Sequence, residues 1–160
     1  GYEEREKLRF KHFRHALPET VNSMIAERKK QYPGLHKLGT DMAVPPEHFK
    51  DMYTFYKQEL EAHGLEYVIF GHIGNCHVHV NILPKNMDDL AKGKAIYKRF
   101  AQKAVSFGGT VSAEHGIGKI KKEYFYIMFD PAAIQEMIAV KKALDPLCLL
   151  NPGTLFDVEA

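Results

Sequence analysis

The order of apolar and polar positions predicts most elements of the chain. From Glu3 to Leu17 the sequence is charged, with Phe10, Phe13 and Leu17 at helical spacing. Pro18-Glu19-Thr20 predicts the end of one helical segment and the start of another, because proline is tolerated in a first helical turn. Val21, Met24, Ile25 and Arg28 continue a weaker helical pattern up to the breaker Tyr32-Pro33-Gly34. Leu35 to Val44 reads as a strand with an irregularity at Gly39. Pro45-Pro46-Glu47 opens the clearest helix, in which Phe49, Met52, Tyr53, Tyr56 and Leu60 form one apolar stripe and Gly64 is the stop. Leu65 to Phe70 is short, β-branched and aromatic, hence a strand, and Gly71 to Cys76 is turn-like. His77 to Leu83 alternates, with His77, His79 and Asn81 on one face and Val78, Val80 and Ile82 on the other. Asn86 or Asp88 caps a helix running to about Phe107, with Ile96, Tyr97, Phe100 and Ala104 inward. Gly108 to Gly118 is glycine-rich and without period, an ordered loop. Asp130-Pro131 starts a last helix with Ile134, Met137, Ile138 and Leu144 inward, and Asp145-Pro146 ends it. The succession predicts an α+β fold, an antiparallel sheet with helices packed mainly on one face.

Composition narrows the classes. A chain of 160 residues with 45% hydrophobic and 26% charged residues has room for one folded domain and its own core. A net charge of +2 sets up no field for a polyanion, so nucleic acid is not an expected partner. No apolar run approaches the ~20 residues of a membrane helix. Cys76 and Cys148 make neither a disulfide framework nor a paired metal motif, and a reducing compartment fits. The chain starts at Gly1 without an initiator Met, which reads as a processed chain or a cut-out piece.

Two segments carry candidate chemistry. In Gly71-His72-Ile73-Gly74-Asn75-Cys76-His77-Val78-His79-Val80-Asn81, a hairpin turning near Gly74-Asn75 sets His72 roughly opposite His77. His72, His77, His79 and Asn81 then share one face, an arrangement open to metal ligation or to a merely polar surface. Neutral imidazole suits zinc, iron and manganese. In Gly108-Gly109-Thr110-Val111-Ser112-Ala113-Glu114-His115-Gly116-Ile117-Gly118-Lys119, the neighbours Glu114 and His115 are suited to a carboxylate ligand and an imidazole base. The phosphate-loop and dinucleotide patterns are absent. Two hairpin histidines plus Glu114 would form a site that keeps positions open for substrate. His12, His15, His36, His48 and His63 read as surface residues. Lys119, Lys121 and Lys122 read as a solvated face, with an anionic substrate as the alternative. Arg14 is a candidate carboxylate clamp.

The residues match a known pattern. GHIGNCHVHVN resembles the GHxGDGNxHxN signature of FAD-linked 2-hydroxyacid dehydrogenases and oxidases. GGTVSAEHGIGKIK is similar to their GGTxSGEHGIGxxK loop, and AVKKALDPLCLLNPGTLF to their terminal IKxxxDPxxxLNPGK stretch. FRHALPE and GTDMAVP are similar to a helix with a substrate-binding Arg and to the strand after it. The resemblance implies the C-terminal cap, or substrate, domain of a vanillyl-alcohol-oxidase-type flavoenzyme, ferredoxin-like in build. Residues 1–144 would form the cap, and the tail 145–160 would return to an FAD-binding domain lying N-terminal to it and be the least ordered part.

The same resemblance puts metal ligands at His72, His79 and Glu114 and the catalytic base at His115. It puts substrate contacts at Asn81 and Arg14. The cofactors implied are FAD and a divalent metal, zinc first, with manganese or iron as alternatives. The partners implied are a small 2-hydroxy acid, the FAD-binding domain and an electron acceptor that is a quinone, a cytochrome or a flavoprotein. The place implied is the cytoplasm or, peripherally, the inner face of a membrane. Three departures stand out: Asn75-Cys76-His77 replaces Asp-Gly-Asn, Ala113 replaces Gly, and Thr154 replaces the final Lys. His77 is then a further ligand or a polar contact, and Cys76 a turn residue.

The expected reaction is oxidation of a D-2-hydroxy acid to a 2-oxo acid with hydride transfer to flavin. One rival is a histidine-triad nucleotide hydrolase, since His77-Val78-His79-Val80-Asn81 mimics that signature; its nucleophile position holds Asn81, an amide unable to attack phosphate. Another is a binding module that turns nothing over by itself, for the chain shows no flavin site of its own.

Overall fold

The computed structural model describes residues 3–158, so Gly1, Tyr2 and the last two residues of the tail lie outside the described residues. The expected α+β architecture is present: among the described residues there are five α-helices and one three-stranded antiparallel sheet. Helix α1 (Glu4–Gln31) runs unbroken through Pro18. The break expected there does not occur. Proline removes one N–H, whereas a fresh helix start would leave a whole turn of N–H groups unpaired. The second half of α1 is also tied down by side chains. Val21 and Ile25 are buried with Leu83 and against Val68. The Arg28 guanidinium donates to the Leu83 carbonyl at 2.8 Å and to both Glu66 carboxylate oxygens.

The strand expected over 35–44 is reduced to β1 (Leu38–Gly39), which pairs Leu38 with Ile82 and Gly39 with Asn81. Thr40 extends the contact, its N–H donating to the Val80 carbonyl and its hydroxyl accepting from the Val80 N–H. The ladder then stops at Asp41, whose carboxylate turns toward the 112–115 loop. Ala43 resumes pairing, bridged on one side to His77 and on the other to Thr110. Strand β2 (Tyr67–His72) is longer than expected at its end and includes His72. It joins β3 (His77–Ile82) through a tight turn over Ile73–Asn75, and Cys76 adopts a left-handed conformation with φ 52°. The register pairs His72 with His77, Phe70 with His79 and Val68 with Asn81, as the hairpin pattern predicts. Gly71, paired with Val78, has φ 150°, and a Cβ there would lie 2.9 Å from the His77 carbonyl oxygen.

The face carrying Val78, Val80 and Ile82 packs with helices α2 (Phe49–Ala62) and α3 (Met87–Ser106) in the main core. Met52, Tyr56 and Leu60 of α2 and Ile96, Tyr97, Phe100 and Ala104 of α3 are buried there as their stripes predict, whereas Phe49 is only partly buried and Tyr53, at the edge of the α2 stripe, is exposed. Asn86 caps α3 by accepting from the Asp89 N–H at 2.8 Å. The opposite face is covered by α1 only at its Val68 end, which leaves the histidine end open. Gly109 lets the glycine loop cross close behind the sheet, since a Cβ there would sit 2.3 Å from the Ala43 carbonyl oxygen.

Helix α4 (Lys122–Met128) was not foreseen in the periodicity; its Tyr124 stacks on Tyr97 at 4.5 Å. Helix α5 (Pro131–Leu144) starts as expected, with Asp130 accepting from the Ala133 N–H. Leu144, expected inward, is exposed, because the small core of Phe125, Ile134 and Phe156 ends before the last turn. The tail folds back over α4 and α5 and buries Phe156, while Leu147, Leu149 and Leu150 face solvent. Among the described residues no helix is long and apolar enough to cross a membrane.

Candidate functional site

The hairpin and the glycine loop meet at the open end of the sheet. Glu114 is the hub. His72 Nε2 lies 3.4 Å and His77 Nδ1 3.5 Å from its Oε1, and His79 Nε2 lies 3.9 Å from its Oε2. His77 and His79, two residues apart on β3, have ring centroids 4.5 Å apart. His115 stacks on His79 at 5.1 Å and 15° and keeps most of its ring exposed. The site residues expected from both segments are therefore neighbours in space.

Sequence reasoning missed the residue that organises them. Asp41 is fully buried, at the point where the strand ladder fails. Its Oδ2 accepts the Ser112 hydroxyl, the His115 N–H at 2.9 Å and the Lys121 ammonium at 3.0 Å. The Glu114 N–H points at the same carboxylate. Burial opposes ionisation, yet the Ser112 hydroxyl, the His115 N–H and Lys121 together hold the Asp41 carboxyl well below the usual carboxylate range. Its Oδ1 lies 3.2 Å from His77 Nε2 and 3.5 Å from His115 Nδ1. One carboxylate thus fixes the loop that presents Glu114 and His115. The available signal was an acidic residue directly before the apolar Met42-Ala43-Val44 stretch. Lys121, read as part of a solvated face, is instead mostly buried against Asp41 and Ser112. Lys122 pairs with Asp157.

Asp41, His77, His79 and Glu114 each offer one donor atom, and the four lie within 4.8 Å of one another. Two nitrogens and two oxygens suit a divalent ion of the zinc, iron or manganese type. The bonds around the cluster fit a ligand role as well. His79 Nδ1 meets the Thr40 carbonyl at 3.0 Å, and a carbonyl only accepts, so Nδ1 carries the proton and Nε2 keeps its lone pair toward Glu114. His77 Nε2 is buried without a hydrogen bond. His72 stands at the rim, half exposed.

A cleft of about 410 Å³ opens beside the cluster between α1 and the hairpin. Arg14, Leu17 and Pro18 form one wall, and Phe70, His72, His79, Glu114 and His115 the other. Arg14 has no hydrogen-bond or ion-pair partner among the described residues. His15, read as a surface residue, also lines this cleft. An adjoining hollow is lined by Lys37, Gly39, Thr40, Asn81 and His115. The Asn81 side chain is only 3% exposed, and its Nδ2 has no hydrogen-bond partner. No nucleophile stands at that position, which removes the feature a histidine-triad hydrolase needs. His36 and His63 bond only to nearby carbonyls, and His48 stacks on Phe107.

The class defined here is an α+β domain in which a histidine hairpin meets a Glu-His loop beside a cleft walled by Arg14. Residues 2–155 match the family "FAD linked oxidases, C-terminal domain", and the chain belongs to that family. It is 42% identical over 94 residues to D-2-hydroxyglutarate dehydrogenase of Xanthomonas citri pv. viticola, covering 56% of this chain and 20% of that protein. It is 31% identical over 137 residues to the mitochondrial D-lactate dehydrogenase [cytochrome] of Kluyveromyces lactis, covering 86% and 24%. It is 29% identical over 122 residues to a glycolate oxidase subunit of Bacillus subtilis, covering 75% and 26%. The chain thus spans about a fifth to a quarter of the length of these relatives.

Proposed function

We propose that this chain is the substrate- and metal-binding part of a flavin-dependent oxidoreductase that converts a D-2-hydroxy acid to its 2-oxo acid. The observation that carries the reading is the placement of His115: stacked on His79, beside Glu114, at the mouth of a cleft whose far wall holds unpaired Arg14. The relatives share 2-hydroxy acids as the substrates in their names, which supports the class without choosing among them. The flavin would be held by a domain outside this chain, and the chain alone would bind without turning over.

His72, His79 and Glu114 would hold the divalent ion, with zinc favoured by the imidazole share of the donors. When bound, the ion supplies Lewis-acid activation of the substrate hydroxyl, and the flavin supplies the two-electron acceptor. The residues of this chain then position the acid and move one proton. Arg14 meets the carboxylate with its planar fork, and the unpartnered Asn81 Nδ2 offers a second donor. His115 receives the hydroxyl proton at Nε2. Its Nδ1 is turned toward Asp41, and that carboxylate orients the ring.

The test is His115→Ala in the full-length protein, assayed with a panel of D- and L-2-hydroxy acids and an artificial electron acceptor. Turnover is expected to fall by at least ~100-fold, with the flavin still bound. Near-normal kcat would remove His115 as the base, and no turnover of any 2-hydroxy acid by the unsubstituted protein would remove the function.

A further inference from the structure

We infer that His77 is a resident metal ligand of this chain, so that the ion is held by three imidazoles and one carboxylate rather than by two imidazoles and one carboxylate. The inference deepens the metal site proposed above and rests on it. The GHxGDGNxHxN pattern has Asn where His77 stands, so the added imidazole is a property of this sequence.

The geometry argues for it. His77 is 3% exposed, and its ring is held between two carboxylates. Nδ1 faces Glu114 Oε1 at 3.5 Å, the same oxygen that His72 Nε2 approaches at 3.4 Å. His79 Nε2 faces the other oxygen of that carboxylate. Three ring nitrogens therefore converge on one acceptor-only group. Lone pairs of nitrogen and oxygen facing each other repel unless a proton or a cation lies between them. One divalent ion satisfies all three contacts at once.

Asp41 is then the positioning partner of His77 rather than a ligand. Its Oδ2 already accepts from Ser112, Glu114, His115 and Lys121, and its Oδ1 lies 3.2 Å from His77 Nε2. A carboxylate behind a metal-bound imidazole is the usual way to fix the tautomer and aim the ring. In this arrangement Nε2 carries the proton toward Asp41 and Nδ1 is the ligating atom. The orphaned state of Nε2 is relieved when the ring settles onto the ion. A nitrogen-rich set with four protein donors favours zinc over manganese and holds it more firmly than a three-donor set does.

The test uses the full-length protein loaded with zinc under metal-limited conditions. Zinc-edge X-ray absorption counts imidazole scatterers, and metal analysis after dialysis against a chelator series measures retention. The unsubstituted protein is expected to show three imidazoles. His77→Asn is expected to show two and to lose zinc more readily by more than the ~10–100-fold typical of a partner outside the coordination sphere. Two imidazoles in the unsubstituted protein would overturn the assignment of His77 while leaving the His72, His79 and Glu114 site standing. That count needs no variant to fold. Failure to hold one zinc, or equal retention in His79→Ala, would instead overturn the metal site itself.

Discussion

Asp41 shows how much one side chain decides. Its carboxylate sits where a strand would otherwise continue, and it collects the Ser112 hydroxyl, the His115 N–H and Lys121. Each partner comes from the loop or from the turn just after it. Replacing it by Asn keeps the size, removes the charge and leaves Lys121 buried without a counter-ion. Breaking a buried pair in this way costs about 3–5 kcal/mol. Asp41→Asn is therefore expected to lower the urea midpoint strongly with little change in slope. A variant of unchanged midpoint would show that the loop holds itself.

At the scale of elements, the C-terminal end of α5 makes a separate prediction. Asp145 pairs with Lys141 and accepts from the Leu149 and Leu150 N–H groups. Lys141 first and then the Leu150 N–H lower its pKa; burial opposes them, and the Leu149 N–H adds less than burial takes away. A carboxyl depressed on folding stabilises above its unfolded value of about 3.9 and loses that contribution as pH falls through the folded value. The Leu149 and Leu150 amide resonances are expected to titrate together with a midpoint below 3.9, and Asp145→Asn should abolish the shift.

Elements were legible in the sequence where period and cap agreed. Helices α2 and α3 and the hairpin register follow directly from their patterns, and the register brings His72 to His77. The elements misjudged are those decided by distant partners. Pro18 is carried through because Val21, Ile25 and Arg28 already fix the helix. β1 is cut short because Asp41 belongs to the loop 71 residues further on. The short α4 lacks a side-chain cap and is fixed by Tyr97 and by the tail. The same reason hid Asp41 and Lys121 from the site: each is defined by what it meets, and neither lies in a histidine-rich segment.

For the whole molecule, two groups stand out among the exposed apolar residues. Leu8, Phe13 and Leu17 project from the first half of α1, and Leu147, Leu149 and Leu150 from the tail. Surfaces of this kind mark interaction sites. The isolated chain is expected to bind an apolar dye and to self-associate, and Phe13→Glu with Leu149→Glu should reduce both; light scattering and dye fluorescence measure this. A dye-silent monomer would contradict it. The unbroken α1 has a mechanical consequence. At about 1.5 Å per residue it is a rod of some 40 Å, clamped to the sheet through Val21, Ile25 and Arg28 and largely exposed along its first half. Arg14 rides near its middle, directly over the site. Because one rigid helix carries both the clamp on the sheet and one wall of the cleft, the width of the cleft is tied to the angle at which α1 leaves the sheet.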